Sequence, residues 1–321
     1  MLSWGIIGSG DVVRRKVLPS FKECNADIRG IASRRLTMAE NVAAEFNLPI
    51  AYTNVEALLT DPSIDAVYIA TPVSSHAELT IKAAKAGKHV LCEKPMAMSH
   101  SEALEMLQAC RRYQVHLEIA YYRRHFPVVS KLRQLLESGK IGVAMRAQVN
   151  CHSPRTMVQG SDWRYEPDTS GGGVLMDIGS HRIDLLIHLF GAIKSSSGKV
   201  LSIQETKVED DCLLQLQFES GLEATLSIAW SKADYEDSLV IRGKRGVLRI
   251  DKINTGMLLL ETEAGTEEFS MPMNQQTHTC LIEDFAERIS LLHKEPLTET
   301  TAIETTMAIQ DVYQANNYFT A

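Results

Sequence analysis

The 321-residue sequence predicts an α/β protein of two domains. A doubly wound parallel sheet comes first, followed by an α+β domain with a large, mostly antiparallel open sheet. Three observations predict this. The first ~120 residues alternate short apolar runs with helix-like stretches, as crossover-connected parallel strands do. From about residue 200 the apolar period falls to two, the mark of strands with one buried face. The length also exceeds what a single core serves. The expected division is 1–120 and 121–321.

Each element has its own signal. Apolar runs at 3–7, 28–32, 66–70, 89–92 and 116–119 read as parallel strands. Thr37 with Glu40, Ser75 with Glu78, and Ser99 with Glu102 have the capping-box spacing and are read as helix starts. The helix after Ser99 carries Ala103, Met106, Leu107 and Cys110 on one face. A further helix is expected over 126–138 and a strand over 145–151. Leu222, Ala224, Leu226, Ile228 and Trp230 then alternate with Glu223, Thr225 and Ser227. Turns at 219–221, 243–246 and 264–265 separate runs of this kind. Helices over 279–293 and 302–318 are expected to close the chain. A ligand crevice between the two domains follows from this architecture.

Composition narrows the function. Net charge is −7, which disfavours a nucleic-acid partner and a polybasic membrane anchor. Residues 1–120 hold 13 basic and 13 acidic side chains, so the acidity lies in the remainder, with 20 and 27. No run approaches the ~18 apolar residues of a membrane span. The apolar N-terminal stretch lacks a preceding basic region and reads as the first strand, not a signal peptide. The six cysteines are scattered without a C-x-x-C pair, as expected of free thiols in a reducing cytoplasm.

Gly8-Ser9-Gly10 follows the first strand and precedes a helix. Glycines there allow a tight turn and close approach of backbone to a pyrophosphate, with Asp11 and Val12 opening the helix. The third small position is Val13, so the dinucleotide fingerprint is incomplete. About 20 residues on, NAD binders place an acid that holds the ribose 2′-hydroxyl. This chain has Ser33-Arg34-Arg35 instead, a hydroxyl and two guanidinium groups suited to a 2′-phosphate. NADP is therefore the expected cofactor, with NAD the alternative. No G-x-x-x-x-G-K-[ST] motif occurs, which disfavours a phosphate-loop kinase.

Cys92-Glu93-Lys94-Pro95 ends the strand predicted at 89–92 and puts Lys94 at a carboxyl end, where ligands bind. Residues 170–184, SGGGVLMDIGSHRID, place Asp177 and His181 one turn apart, with Asp184 three beyond His181. His181 suits a general acid/base, and a neighbouring carboxylate can orient it. The preceding glycines are read as letting backbone approach a ligand. A metal held by all three polar residues is not expected, since one short helix makes a poor ligand cage.

Taken together, Gly8-Ser9-Gly10, Ala70-Thr71-Pro72 with His76, Glu93-Lys94-Pro95 and Tyr122-Arg123-Arg124 resemble the Gfo/Idh/MocA family, the glucose–fructose oxidoreductase and inositol dehydrogenase group. Asp162-Trp163-Arg164, Gly171-Gly172-Gly173 and the run from Asp177 to Asp184 extend the resemblance along nearly the whole chain. Ser33-Arg34 and the run from Leu175 to Asp184 further resemble the NADP-dependent 1,5-anhydro-D-fructose reductases of that group. The resemblance implies a Rossmann domain at 1–120, a substrate-binding and oligomerisation domain at 121–321, and a cis Lys94–Pro95 bond. It implies a homo-oligomer formed through the open sheet. The implied reaction is hydride transfer between a nicotinamide and a sugar or polyol carbon. His181 would move the proton, Lys94 would polarise the same oxygen or relay the proton, and Asp177 would position His181 or bind a substrate hydroxyl. Gly8, Ser9, Gly10, Asp11, Val12, Ser33, Arg34, Thr71, Pro72, His76, Glu93, Lys94, Trp163 and Arg164 form the expected cofactor set. Arg123 and His152 join the three catalytic candidates in contacting substrate, with Arg155 and Tyr165 as further specificity candidates. Two other functions fit the family. One is a catalytically silent regulator that senses the cofactor, which would have little use for Lys94 and His181 together. The other is a glycoside-cleaving enzyme that retains its cofactor.

Overall fold

The structure is a computed structural model, and it describes residues 2–154, 163–203, 207–231, 235–291 and 301–318. Contacts divide the chain into two units: Met1–Tyr122 with Asn274–Ile303, and Arg123–Met273 with Glu304–Ala321. The cut expected at residue 120 does not anticipate the return of 274–303 to the first unit.

The first unit alternates strand and helix. In order they are β1 (Ser3–Ile7), α1 (Leu18–Glu23), β2 (Asp27–Ala32), α2 (Leu36–Phe46) and β3 (Ile50–Tyr52). There follow α3 (Val55–Leu59), β4 (Ala66–Ile69), α4 (His76–Lys85), β5 (His89–Cys92), α5 (His100–Arg112) and β6 (Leu117–Ile119). The six strands are parallel in the order β3-β2-β1-β4-β5-β6. The order reverses between β1 and β4, the switch point at which such sheets bind ligands. Both faces are covered, so the central strands β1 and β4 are buried along their whole length. Trp4 and Ile6 point into one core and Ile7 into the other. The three-residue β3 carries too little pattern for the sequence to reveal it.

Of the three expected capping residues, one caps its helix, with the return bond shifted to the preceding amide. Ser99 accepts from the Glu102 amide at 3.2 Å, while Glu102 accepts from Met98 N at 3.0 Å. Helix α2 begins at Leu36, ahead of Thr37, with no side-chain cap. Ser75 turns back instead, donating to the Pro72 carbonyl and lying 2.8 Å from Thr71 Oγ1. Asn54, which the spacing rule does not flag, caps α3 through the Ala57 amide at 2.8 Å.

The second unit begins with α6 (Pro127–Glu137), β7 (Ala144–Pro154), α7 (Pro167–Ser170) and α8 (Ser180–Phe190). Seven more strands follow: β8 (Ile193–Ser202), β9 (Asp211–Phe218), β10 (Glu223–Ser231), β11 (Glu236–Gly243), β12 (Gly246–Ile250), β13 (Met257–Thr262) and β14 (Gly265–Ser270). They form one eight-stranded sheet in the order β14-β13-β12-β11-β7-β10-β9-β8. Every pairing is antiparallel except β7 with β10. The alternation expected in β10 is present. Leu222, Ala224, Leu226 and Ile228 are buried, whereas Glu223 and Thr225 are exposed.

The chain closes with α9 (Thr279–Leu291) and α10 (Thr301–Ala315). Helix α9 belongs to the first unit. Leu281, Ile282 and Phe285 enter the core that holds Trp4, Ile6 and Phe21, and the Phe285 ring lies 5.1 Å from Trp4. Helix α10 supplies Val312 and Tyr313 to the second unit, where Asn316 donates to the Gly198 carbonyl at 3.0 Å. Gly198 is glycine because a Cβ there would lie 2.7 Å from the Leu213 carbonyl oxygen and 3.1 Å from Val312.

Candidate active site

In the first unit the carboxyl ends of β2, β1, β4 and β5 lie side by side and carry Ser33, Gly8, Ala70-Thr71 and Glu93-Lys94. Three strand-to-strand steps separate β2 from β5, a span of about 14 Å. Gly8 has φ +120°, and a Cβ there would lie 2.2 Å from the Ala70 carbonyl oxygen. Only glycine lets β1 and β4 meet at this turn. Gly10 differs: its Cβ position meets nothing within 4 Å, so the loop leaves open space above it. The first internal helix bonds run from the Val13 and Arg14 amides to Gly10 O, so the amides of Asp11 and Val12 precede the ladder. Val13 is fully buried, and the helix opens there into a π-helical turn (Val13–Val17) before α1. Open space, free-standing helix-start amides and the dipole form a cradle for a phosphate, and these residues fit a dinucleotide. Arg34 and Arg35 are exposed, and Ser33 donates to Arg35 O at 2.8 Å.

At the end of β5, Lys94 is half-buried and its bond to Pro95 is cis. The flanking residues face inward. Glu93 is 5% exposed, accepts from Tyr68 OH at 2.8 Å and from the Lys94 amide at 3.2 Å, and lies 3.3 Å from His278 Nε2. Burial pushes its pKa up, but His278, Lys94 and Tyr68 outweigh that and hold it below the usual glutamate value. His76 is fully buried, with Nδ1 3.0 Å from Pro95 O and Nε2 2.9 Å from Thr71 O. Burial lowers its pKa against the pull of both carbonyls. Of the expected cofactor residues, Glu93 and His76 therefore brace the Lys94 turn from within.

In the second unit the glycine run ends against protein. Gly171 closes α7 with φ +74°. A Cβ on Gly172 (φ +152°) would lie 2.1 Å from Tyr313 Oη, and one on Gly173 2.0 Å from the Glu209 carbonyl oxygen. The reading of these glycines as ligand-facing is corrected accordingly: they admit Tyr313 and Glu209. The fully buried Glu209 accepts from the Gly173 amide at 2.7 Å, the Leu175 amide at 3.0 Å and Tyr313 OH at 2.7 Å. Its carboxyl occupies the start of the following helix, where an anion is favoured. Burial raises its pKa, and the three donors only partly oppose this.

That helix opens as a π-helical turn (Leu175–Gly179) and continues as α8. The turn carries Asp177, half-buried, and α8 carries His181, 5% exposed. A π turn at such a point is a common feature of functional helices. Asp184 is held by an arginine from the start of the second unit. Arg124 grips it with two nitrogens, Nε at 2.8 Å and Nη2 on the second oxygen. Asp237 gathers Arg182, Arg123 at 3.5 Å and Tyr235 OH at 3.3 Å, and Arg123 also reaches Asn254 Oδ1 at 3.2 Å.

The remaining candidates separate. Cys151 of β7 is buried on the sheet face that carries Asp237, and burial raises its thiol pKa. His152, the next residue, takes the opposite face by strand alternation, 2.9 Å from Ser227 Oγ and 3.6 Å from Glu236. Trp163 and Arg164 stack at 5.1 Å, and Tyr165 packs edge-on to Trp230 at 5.5 Å. Arg155 and Asp162 lie outside the described residues. The sequence reading missed Glu209, Asp237, Tyr68 and His278, each of which meets at least one partner distant in the chain.

The oxidoreductase family model with an NAD-binding Rossmann fold, GFO_IDH_MocA, matches residues 2–121, and the GFO/IDH/MocA C-terminal domain matches residues 129–249. The chain is 32% identical over 260 residues to trans-1,2-dihydrobenzene-1,2-diol dehydrogenase of Mus musculus, covering 78% of this chain and 75% of that protein. It is 31% identical over 255 residues to 1,5-anhydro-D-fructose reductase of Ensifer adhaerens, covering 77% and 75%. Its fold is similar to that of the aldose-aldose oxidoreductase of Caulobacter crescentus, with a TM-score of 0.89, 24% identity and coverage of 98% and 97%. The sheet order, the loop after β1, the Glu93-Lys94-Pro95 turn and both family matches agree: the chain belongs to the Gfo/Idh/MocA family of NAD(P)-dependent oxidoreductases.

Proposed function

We propose that this protein is an NADP-preferring oxidoreductase that interconverts a carbinol and a carbonyl on a sugar or related cyclic diol. The observation that carries the reading is the row of residues on one sheet edge: Ser33-Arg34 ending β2, the glycine turn ending β1 and Lys94 ending β5. The Asp11 and Val12 amides would hold the pyrophosphate, and Arg34 with Ser33 the 2′-phosphate. The first unit is thus the cofactor-binding domain. Trp163 and Arg164 complete the cofactor set on the family resemblance. A bound nicotinamide supplies or takes the hydride. Lys94 donates a hydrogen bond to the reacting oxygen, and His181 takes or returns its proton, help worth about 10²–10⁴-fold in rate. Asp177 orients His181 or binds a neighbouring hydroxyl. Arg123 is kept as a substrate-contacting residue, whereas the contacts of His152 with Ser227 and Glu236 argue for leaving it out. The names of the relatives support a sugar or cyclic diol as substrate.

The open face of the eight-stranded sheet carries Leu213 at 41% exposure among Gln215, Thr225 and Ser227, and we assign it to self-association. Six free cysteines fit a reducing compartment such as the cytoplasm.

The test is fluorescence titration with NADPH and NADH on wild type and Arg34→Ala. The reading expects tighter NADPH binding that falls at least tenfold in the variant, with NADH unchanged. Equal binding of both cofactors to wild type overturns the NADP assignment.

A further inference from the structure

We propose that His278 is a positioning residue for Lys94, acting through Glu93. The proposal rests on the reading of Lys94 as the group that donates to the reacting oxygen. Glu93 and Lys94 are neighbours at the end of β5, and the Glu93 carboxylate folds back to accept the Lys94 amide at 3.2 Å. That carboxylate has no freedom to move. Tyr68 OH donates to Oε1 at 2.8 Å, and His278 Nε2 stands 3.3 Å from the same oxygen. Tyr68 is 0%, Glu93 5% and His278 2% exposed, so water does not compete for any of them.

The His278 ring is itself fixed. It stacks on Tyr122 at 4.5 Å, its Nδ1 lies 2.9 Å from Thr277 Oγ1, and its backbone amide donates to Ser20 Oγ at 3.3 Å. On the other flank of Lys94, the Pro95 carbonyl meets His76 at 3.0 Å. The backbone that carries Lys94 is therefore flanked by two buried imidazoles, one bonded to the Pro95 carbonyl and one lying against the Glu93 carboxylate. One, His76, opens α4. The other comes from the segment that returns ahead of α9.

Stability does not require this arrangement. Burying a carboxylate beside an imidazole costs desolvation that a well-packed apolar pair of similar volume avoids. What the pair supplies, and an apolar pair cannot, is an anchored acceptor for the amide of the residue that donates to the reacting oxygen. An error of about 1 Å at such a residue costs on the order of 10²-fold in rate. The segment containing His278 thus sets the position of Lys94 without touching substrate.

The experiment compares wild type, His278→Leu, His278→Gln and Glu93→Gln. Two readouts are taken: steady-state kinetics with NADPH and a sugar carbonyl, and competitive acylation of lysines by acetic anhydride. Lys94 labelling is read by mass spectrometry against the exposed Lys85. His278→Leu is expected to lower kcat about 10–100-fold with KM for NADPH within twofold, and to change Lys94 labelling at least threefold. His278→Gln, which keeps a polar group against Glu93, is expected to restore both to within threefold of wild type. A folded His278→Leu protein with unchanged kcat and unchanged Lys94 labelling overturns the proposal. So does equal impairment of the Leu and Gln variants with unchanged labelling, the outcome of a merely structural role. If His278→Leu does not fold, Glu93→Gln decides: altered Lys94 labelling supports the proposal and wild-type labelling sinks it. A wild-type protein that reduces no sugar or diol carbonyl refutes the functional reading alone, because the labelling still reports on the position of Lys94.

Discussion

Glu93 in the first unit and Glu209 in the second are both buried carboxylates that fasten a backbone turn beside a candidate catalytic residue. Their surroundings push them in opposite directions. Glu93 has an imidazole and a lysine among its neighbours, and its pKa falls despite burial. Glu209 has two amides and a phenol, and its pKa rises. The difference teaches that neutral donors do not repay the desolvation of a carboxylate, whereas a nearby cation does.

The strongest way to break this comparison is to make Glu93 resemble Glu209. His278→Leu leaves the carboxylate buried without its imidazole and is expected to cost about 3–5 kcal/mol near neutral pH. That cost shrinks in acid, once Glu93 is protonated. Urea unfolding at several pH values checks both statements. The signs of the pH dependence differ for the two groups. A lowered folded-state pKa gives Glu93 a contribution that is present above the ordinary value of 4.5 and is lost as pH falls through the lowered one. A raised one gives Glu209 a contribution that is fully present below 4.5 and is lost as pH rises through the raised one. Glu93→Gln should flatten the acid limb of stability. Glu209→Gln should remove a decline between mildly acid and neutral pH. Slopes of the same sign for both variants would end the comparison.

Tyr313→Phe sharpens it at smaller scale. Removing one neutral donor from Glu209 is expected to cost about 1–3 kcal/mol, less than the loss of the imidazole from Glu93. The smallest effects concern local motifs. Ser99→Ala should lose about 1 kcal/mol, because Ser99 caps α5, whereas Thr37→Ala should change thermal stability by less than about 0.5 kcal/mol.

These cases also show what a sequence discloses. The sheet edge of the first unit was legible because each residue acts where it stands. Gly8 makes a turn, Ser33-Arg34 ends a strand, and Lys94 ends another. In the second unit the spacing placed Asp177 and His181 on one helical segment, but it did not disclose what braces that segment. Asp184 is paired with Arg124, Asp237 with Arg182, and Glu209 with a glycine run far upstream. Nothing in the spacing of these residues says which acid meets which base. The same three-residue spacing at Thr37, Ser75 and Ser99 gave one cap out of three, because the cap depends on where the helix begins. The two π turns left no mark except Val13, a large residue where a small one is usual.

The placement of α9 has a consequence for how the chain is made. Its Leu281, Ile282 and Phe285 complete the core around Trp4 and Phe21, yet about 150 residues of the second unit lie between. At roughly 5–20 residues per second, a nascent first unit waits on the order of 8–30 s with that apolar face uncovered. During this interval the ribosome-bound chain presents a surface that chaperones or sister chains can bind. A fragment ending at residue 122 would keep that surface exposed permanently, and it should aggregate where the full chain does not.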